Sequence, residues 1–405
     1  MPRAWPANSS YPGDTSIRLG SPRVLALAAA LCWAALMGGP LLVLRPNRLA
    51  AGEGLTTWEA VGLAGLTALT GIVLLPTLGA LLARRWPVWL GRLASPALSA
   101  GPVLLLYLAG HGAERIAAVP YARVSLGWGF WGLLLGLGLA CAELLKRAGS
   151  RAWTIAGLFW LLATTWLLAS GHLDSLSLVR EFHMRQGRFM EELASHLAIS
   201  GLSVAASIAV GIPLGLLLHR RRRLVPKAFF ALNVAQTIPS LALFGLLLVP
   251  LSLLAERFPL LRELGVQGIG AAPALIALTL YALLPVVRNT FTALDAIEPA
   301  VVDAGLGMGM SQLQLLRLIK IPLALPSILG GIRVALVQNI GNTAVAALIG
   351  AGGLGVFIFQ GLGQAAADLI LLGALPTVLL ALAADALMRM LIAVLSPGLA
   401  RGGGS

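Results

Sequence analysis

Charge is scarce in this sequence. Only 11% of its 405 residues are Asp, Glu, Lys or Arg, against 58% hydrophobic, where a soluble domain carries about 25% charged residues. So little polar surface cannot cover a folded chain in water, so a soluble globular protein is excluded and a bilayer is the solvent that fits. Cysteine is nearly absent. Cys32 and Cys141 both sit inside apolar runs without a Cys or His neighbour at metal-ligand spacing, which argues against a disulfide framework or a metal site. Lysine is rarer than arginine, and Lys146, Lys227 and Lys320 follow Leu, Pro and Ile. A P-loop needs Gly before its Lys to cradle phosphates, so this sequence holds no Walker A motif. Intramembrane Asp, Glu and His are not clustered, and His111, His172, His183, His196 and His219 are scattered. No metal, Ser-His-Asp or Cys-His constellation follows, which speaks against an integral-membrane enzyme.

What the sequence has in abundance is long apolar runs. A hydrocarbon layer about 30 Å thick requires about 20 residues of helix, and in lipid the helix is the form that satisfies such a run's own backbone. Ten runs qualify: 24–44, 57–82, 95–110, 124–145, 153–170, 194–218, 228–254, 269–288, 326–349 and 367–395. The third is the weakest, interrupted by Pro96 and Pro102. The expected fold is an all-α integral membrane protein of about ten transmembrane helices. The first run lacks an A-x-A cleavage site and reads as a retained span.

The formal net charge of +13 fits Lys and Arg gathered in inside loops better than nucleic-acid binding, which is not expected. With ten spans and an inside N-terminus, most of the basic residues fall inside, including Arg84, Arg85, Lys146, Arg220 to Arg223, Lys227 and Lys320. Both termini are therefore expected in the cytoplasm. The chain divides into a cytoplasmic N-terminus (1–23), a five-helix membrane region (24–170), a polar, amphipathic outside connector (171–193), a second five-helix region (194–395) and a cytoplasmic tail (396–405) that ends in Gly-Gly-Gly-Ser. The small-residue pairs Gly132/Gly136 and Gly211/Gly215 suit close helix contact.

One loop, 289–325, is far longer than the other connections between spans, and long ordered loops are usually functional. Pro299 can open a helix, since a first-turn position needs no N–H. Gly305, Gly307 and Gly309 are expected to end it. Ser311 followed by Gln314 has the spacing of a capping box, so a second, amphipathic helix starts there, with Leu313, Leu316, Ile319 and Lys320 at helical spacing. Pro322 and Pro326 are expected to stop it before the ninth span. A short helix, a glycine corner and an amphipathic helix at the membrane's inner face suit insertion into a groove on a soluble partner.

That loop resembles the coupling motif of ABC importer permeases, E-A-A-x3-G-x9-I-x-L-P. Asp303, Ala304, Gly305, Gly309, Ile319 and Pro322 fall in register, with Asp for Glu, Gly305 for the second Ala and Ile321 for Leu. Gly at 305 weakens the short helix by up to about 1 kcal/mol relative to Ala. Further stretches are similar to the glycine betaine, choline and carnitine branch of that superfamily: 211–215 (GIPLG), 236–243 (QTIPSLAL), 283–290 (LLPVVRNT), 305–310 (GLGMGM) and 347–355 (ALIGAGGLG). The resemblance covers about residues 190–395, with 1–170 similar to longer members in hydropathy alone. It implies a bacterial inner-membrane permease core in the C-terminal five helices, for osmoprotectant uptake. It also implies two ABC ATPase subunits that carry ATP and Mg, a substrate-binding protein outside, and a second permease subunit, the same or related. No cofactor is expected on this chain, and no enzymatic activity of its own. Another cargo, such as an amino acid or methionine, is the alternative within the class; a channel or membrane enzyme is the alternative outside it.

Polar residues inside spans are costly and usually face an interior or a water path. Asn233, Gln236 and Thr237 in the seventh run share one helix face, as do Gln338 and Asn342 in the ninth; Asn339 and Thr343 share another. These faces are candidates to line a pathway, with interhelical hydrogen bonding as the competing reading. Quaternary ammonium ions favour aromatic cages, yet all 10 Trp lie in the first part of the chain. No cage is expected beside the path, and high-affinity recognition is assigned to the separate binding protein. Asp385 and Arg389, four apart, read as an ion pair on one helix.

Overall fold

The structure, a computed structural model, describes residues 22–47, 50–81, 88–117, 122–148, 150–263 and 265–395. The expected cytoplasmic N-terminus, but for its last two residues, and the expected tail lie outside the described residues. The chain forms two compact units that divide between Arg180 and Glu181.

The first unit contains α1 (Pro22–Gly38), β1 (Leu42–Arg45), β2 (Glu53–Leu55), α2 (Thr57–Leu81), α3 (Val88–Ile116), β3 (Arg123–Leu126), α4 (Trp128–Ala148) and α5 (Ser150–Ala169), and ends within α6 (Ser177–Met184). The expected run 24–44 is cut short at Gly38. Gly39 and Pro40 follow, and the residue before a proline is driven out of the α region, so the chain leaves as a strand. β1 is the middle strand of a small antiparallel sheet, with Leu42 opposite Leu55 on β2 and Leu126 on β3. This sheet is an addition to the expected helices. α3 is longer than the run 95–110 implies and passes through both of its prolines. The core joins Leu25, Ala28 and Cys32 of α1 to Leu69, Leu105, Leu133 and Leu137. Two tryptophans work inside this unit: Trp33 donates to Thr77 Oγ1 at 3.0 Å and Trp160 to Ser99 O at 2.7 Å.

The second unit carries α7 (Gln186–Arg220), α8 (Val225–Thr237), α9 (Ser240–Arg257), α10 (Pro259–Glu263), α11 (Ala271–Asp295), α12 (Pro299–Gly307), α13 (Gln312–Leu315), α14 (Ile321–Ala346), α15 (Gly355–Gly363) and α16 (Ala367–Leu395). α7 begins eight residues before the span expected at 194, taking in part of the polar connector. The run expected as one helix over 228–254 is two helices. Ile238 is extended (φ −70°, ψ 125°) ahead of Pro239, for the same steric reason as at Pro40. Among the described residues, eight helices are long and apolar enough to cross a membrane, and five of them lie in this unit. Each of the ten expected runs overlaps a helix; α1, with 17 residues, and α3 are the two outside those eight.

α11 is the hub. It packs along α7 on one side and α14 on the other, and α16 packs on α14 and α15. Small residues let the backbones approach: a Cβ on Gly211 would meet Val286 Cγ1 at 2.9 Å, and one on Gly215 would meet Thr290 Cβ at 2.7 Å. Ser200, Ser203 and Ser207 continue this seam, fully buried, each hydroxyl donating to a carbonyl of its own helix. Forcing a side chain into such a contact costs about 1–3 kcal/mol. Gly215→Val is therefore expected to lower the thermal midpoint of the detergent-solubilised protein, whereas Gly245→Val, at a position open to solvent or lipid, leaves it within experimental error.

Candidate functional site

The loop between α11 and α14 is ordered by its own chemistry. Glu298 is extended (φ −58°, ψ 129°) and delivers Pro299 to the first turn of α12, where its missing N–H loses nothing. α12 does not stop at Gly305 but runs to Gly307. Gly309 adopts φ +78°, and the N–H groups of Met308 and Met310 donate to Ala304 O and Gly305 O at 3.0 and 3.1 Å. This left-handed residue closes the helix in the manner of a Schellman cap. The expected capping box is formed: Gln314 N–H donates to Ser311 Oγ at 3.3 Å and Ser311 N–H to Gln314 Oε1 at 2.8 Å.

The next step departs from expectation. Pro322 and Pro326 do not end the second helix. α13 passes through one π-helical stretch, Leu316–Lys320, directly into α14, and Gln312–Ile349 is a single spanning helix. A proline costs a helix one hydrogen bond and clashes with the carbonyl one turn back; a π turn widens the helix locally and absorbs that misfit.

Gly305 is buried in this loop. A Cβ there would lie 2.7 Å from Leu315 Cδ1 and 3.0 Å from Ile319 Cδ1, so α12 rests its Gly305 face on the start of the long helix. Of the other motif residues, Pro299, Asp303, Ala304, Gly309 and Pro322 are exposed and Ile319 is half-buried. Val301, Leu306, Met308, Leu313 and Leu318 are exposed as well, Met308 at 70% and Leu318 at 64%. Contiguous exposed apolar surface on an ordered loop marks an interaction site.

Beside this loop, α7 ends in the basic run. Arg222 donates to Asp295 at the end of α11 and lies 5.4 Å over the Phe291 ring; the hydrogen bond to Asp295 raises its guanidinium above the ordinary value. Lys320 Nζ is 3.5 Å from His219 Nε2.

The candidate pathway residues separate into two sets. Asn233, Gln236 and Thr237 lie on α8, ahead of the span formed by α9. Asn233 Oδ1 accepts from Arg288 at 3.3 Å, Gln236 donates to Tyr281 O at 2.6 Å, and Thr237 bonds to Val234 O of its own helix. Gln338 and Asn342 are half-buried on α14. Asn339 and Thr343, on another face of that helix, are fully buried. Asn339 donates to Ser203 Oγ at 2.8 Å and Leu278 O at 3.1 Å, while its Oδ1 has no hydrogen-bond partner among the described residues. Asn339 thus bonds between helices, whereas Thr343 donates to Asn339 O of its own helix at 2.7 Å.

Two arrangements went unseen in the sequence. The first joins residues 351–354 to one turn of α7. Glu192 Oε2 accepts from Gly353 N–H at 2.7 Å, Ser195 donates to Ala351 O at 3.3 Å, and His196 Nδ1 accepts from Leu354 N–H at 3.3 Å. The other nitrogen of His196 lies 3.0 Å from Ile340 O, so the ring is neutral with its proton on Nε2, donating to α14. The glycines of 350–355 were the only signal, and their partners lie more than 150 residues away. The second is an ionic group: Asp385, expected to pair with Arg389, does so at 2.7 Å and also accepts from Arg333 of α14.

These features define a multi-pass membrane transport subunit with an ordered, partner-seeking loop. The comparisons agree. Residues 207–401 match the model of the binding-protein-dependent transport system inner membrane component, and residues 18–179 that of the ABC transporter permease YehY N-terminal domain. The osmoprotectant import permease protein OsmW of Salmonella typhimurium is 45% identical over 202 residues, which is 50% of this chain and 89% of that one. The glycine betaine/carnitine/choline transport system permease protein OpuCD of Bacillus subtilis is 41% identical over 52% of this chain and 86% of its own, and the choline transport system permease protein OpuBD of the same organism 38% over 56% and 93%. The chain belongs to the binding-protein-dependent transport system inner membrane component family and is a permease subunit of an ABC-type importer.

The close fit at Gly305 is testable. Gly305→Val is expected to unseat α12 and to reduce ATP-driven uptake by about tenfold or more, since overpacking costs about 1–3 kcal/mol, while Gly307→Val, where nothing lies within 4 Å, retains most activity. Uptake by membrane vesicles at matched protein levels measures both.

Proposed function

We propose that this permease carries quaternary-ammonium osmoprotectants, glycine betaine, choline or carnitine, inward across a bacterial inner membrane, with both of its termini and the loop 289–325 on the cytoplasmic side. ATP is hydrolysed, with Mg, by two separate ATPase subunits; this chain performs no chemistry. A binding protein outside presents the cargo, and a second permease subunit, the same chain or a related one, completes the path. Residues 194–395 are the transport core, and the N-terminal five helices, 24–170, accompany it. The cargo reading rests on the names of the relatives, three of which are osmoprotectant or choline permeases over most of their lengths.

The coupling role of Pro299, Asp303, Ala304, Gly305, Gly309, Ile319 and Pro322 rests on one observation: α12 is seated on a helix that continues unbroken from Gln312 into the span. A groove on an ATPase that moves α12 moves α14 as a rigid extension, because an α-helix carries displacement along its hydrogen-bonded axis. The exposed Val301, Leu306 and Met308 supply apolar anchors for that groove. For the pathway, the half-buried Gln338 and Asn342 on α14 are the stronger pair, since Asn233, Gln236 and Thr237 spend their side chains on Arg288, α11 and their own helix.

The test is ATP-dependent uptake of radiolabelled glycine betaine, choline and carnitine in an uptake-deficient strain that expresses the partner subunits. Accumulation of at least one is expected; failure with all three, with a correctly assembled complex, rejects the cargo. Met308→Lys should sharply reduce co-purification of the ATPase, and a cysteine at 308 should react with a membrane-impermeant thiol reagent only from the inner side. Asn342→Ala should lower uptake severalfold without loss of assembly. Gln236→Ala should instead lower the thermal midpoint, by loosening α8 from α11.

A further inference from the structure

We propose that Asp385 is a positioning residue that makes α16 travel with α14 when the loop ahead of α14 is displaced. The inference rests on the coupling reading above and deepens it. Almost none of the spanning stretch of α16 is buried within its unit; Val378, Leu379, Leu382, Leu387 and Met390 are all exposed. Its first half is held by close packing against α15 around Gly373, where a Cβ would meet Ile358 Cγ1 at 2.8 Å. Its second half, from about residue 380 onward, buries Met388 but exposes most of its leucines and Met390, and among the described residues its interhelical polar tie to α14 is the bond from Arg333 to Asp385.

Arg333 lies about 18 Å along the helix axis from Ile321, and Asp385 about 15 Å from Leu395, so both lie well inside helices long and apolar enough to cross a membrane. Charge at that depth is expensive unless paired. The Asp385 side chain is 18% exposed and collects two guanidiniums, Arg333 from α14 and Arg389 from its own helix. Arg389 lies one turn nearer the helix end and 58% exposed, where its long stem can reach toward the interface. Arg333, on α14, has a side chain 35% exposed and reaches across to Asp385. If α16 stayed in place while α14 moved, the two charges would be parted within a spanning segment, where separated charges are poorly solvated. Leucines can repack against new neighbours as helices slide, whereas parting this charge pair costs energy all along the displacement in a medium of low dielectric. Because α14 is continuous with the segment that begins at Gln312, the bond passes displacement of that segment to α16.

Spin labels on Val334→Cys of α14 and Leu382→Cys of α16, both exposed at 53% and 60%, report the separation of the two helices in the full complex with its ATPase subunits, with and without ATP. The native thiols Cys32 and Cys141 are buried and stay unlabelled. The separation is expected to be the same in both states for the wild type, and to change on ATP binding in Asp385→Asn. The double variant Arg333→Gln/Asp385→Asn discriminates positioning from mere stability: removing both charges of a half-buried pair is milder for folding than removing one and stranding the other, so assembly recovers. The ATP-dependent change in separation is expected to persist, and cargo imported per ATP hydrolysed to stay about tenfold below wild type. A separation that stays fixed in both variants, or a double variant with the wild-type ratio, overturns the inference. Because the label separation responds to ATP whatever the cargo, uptake by the wild-type complex judges the importer reading separately.

Discussion

Inside a bilayer no water stands ready to satisfy a peptide group, so each N–H and C=O must find its partner within the protein. The second unit is arranged around this constraint. Where a proline removes a donor at a position that remains helical, as at Pro322, the chain answers with a π turn over Leu316–Lys320 and goes on. Where the proline can be placed at an exit, as at Pro239, the helix ends. The first outcome joins the α12 loop to a span; the second detaches α8 from one. The placement of two prolines thus decides which polar residues ride on a spanning helix and which do not.

The same scarcity of water makes the few polar contacts within the unit specific. Asn339 reaches Ser203 and Leu278, His196 ties the 351–354 loop and α14 to α7, and Asp385 gathers Arg333 and Arg389. Between them they join α14 to α7, α11 and α16. Between these points the helices meet through small residues and leucines, which set distance but little else. A transport subunit has to hold its helices in register while letting them move as bodies, and sparse polar ties on close-packed small-residue seams meet both demands.

Much of the architecture could be read from the sequence, because length and hydropathy act locally. Each of the ten expected runs overlaps a helix, the capping box at Ser311 is formed as its spacing implied, and Gly309 takes the left-handed conformation that a helix-ending glycine serves. The family resemblance rested on the register of Asp303 through Pro322, and the comparisons place the chain in that family. Four of the errors share one cause. A proline's effect depends on whether its neighbours can reorganise around it, so Pro40 and Pro239 broke their runs while Pro102 and Pro322 did not.

The candidate site divides in the same way. Residue types and spacing alone determined a membrane-spanning helical chain with no phosphate-binding loop of its own, and an ordered helix–corner–helix loop at 299–322, because these follow from the solvent a residue prefers and from contacts three or four positions apart. Tertiary structure alone decided that Gly305 is a packing surface, that Gln236 and Asn339 are spent on other helices, and that Arg333 meets Asp385 and His196 meets Leu354. The polar pairings among these join residues from 45 to 158 positions apart, and no local periodicity encodes which distant partner a buried polar group will find.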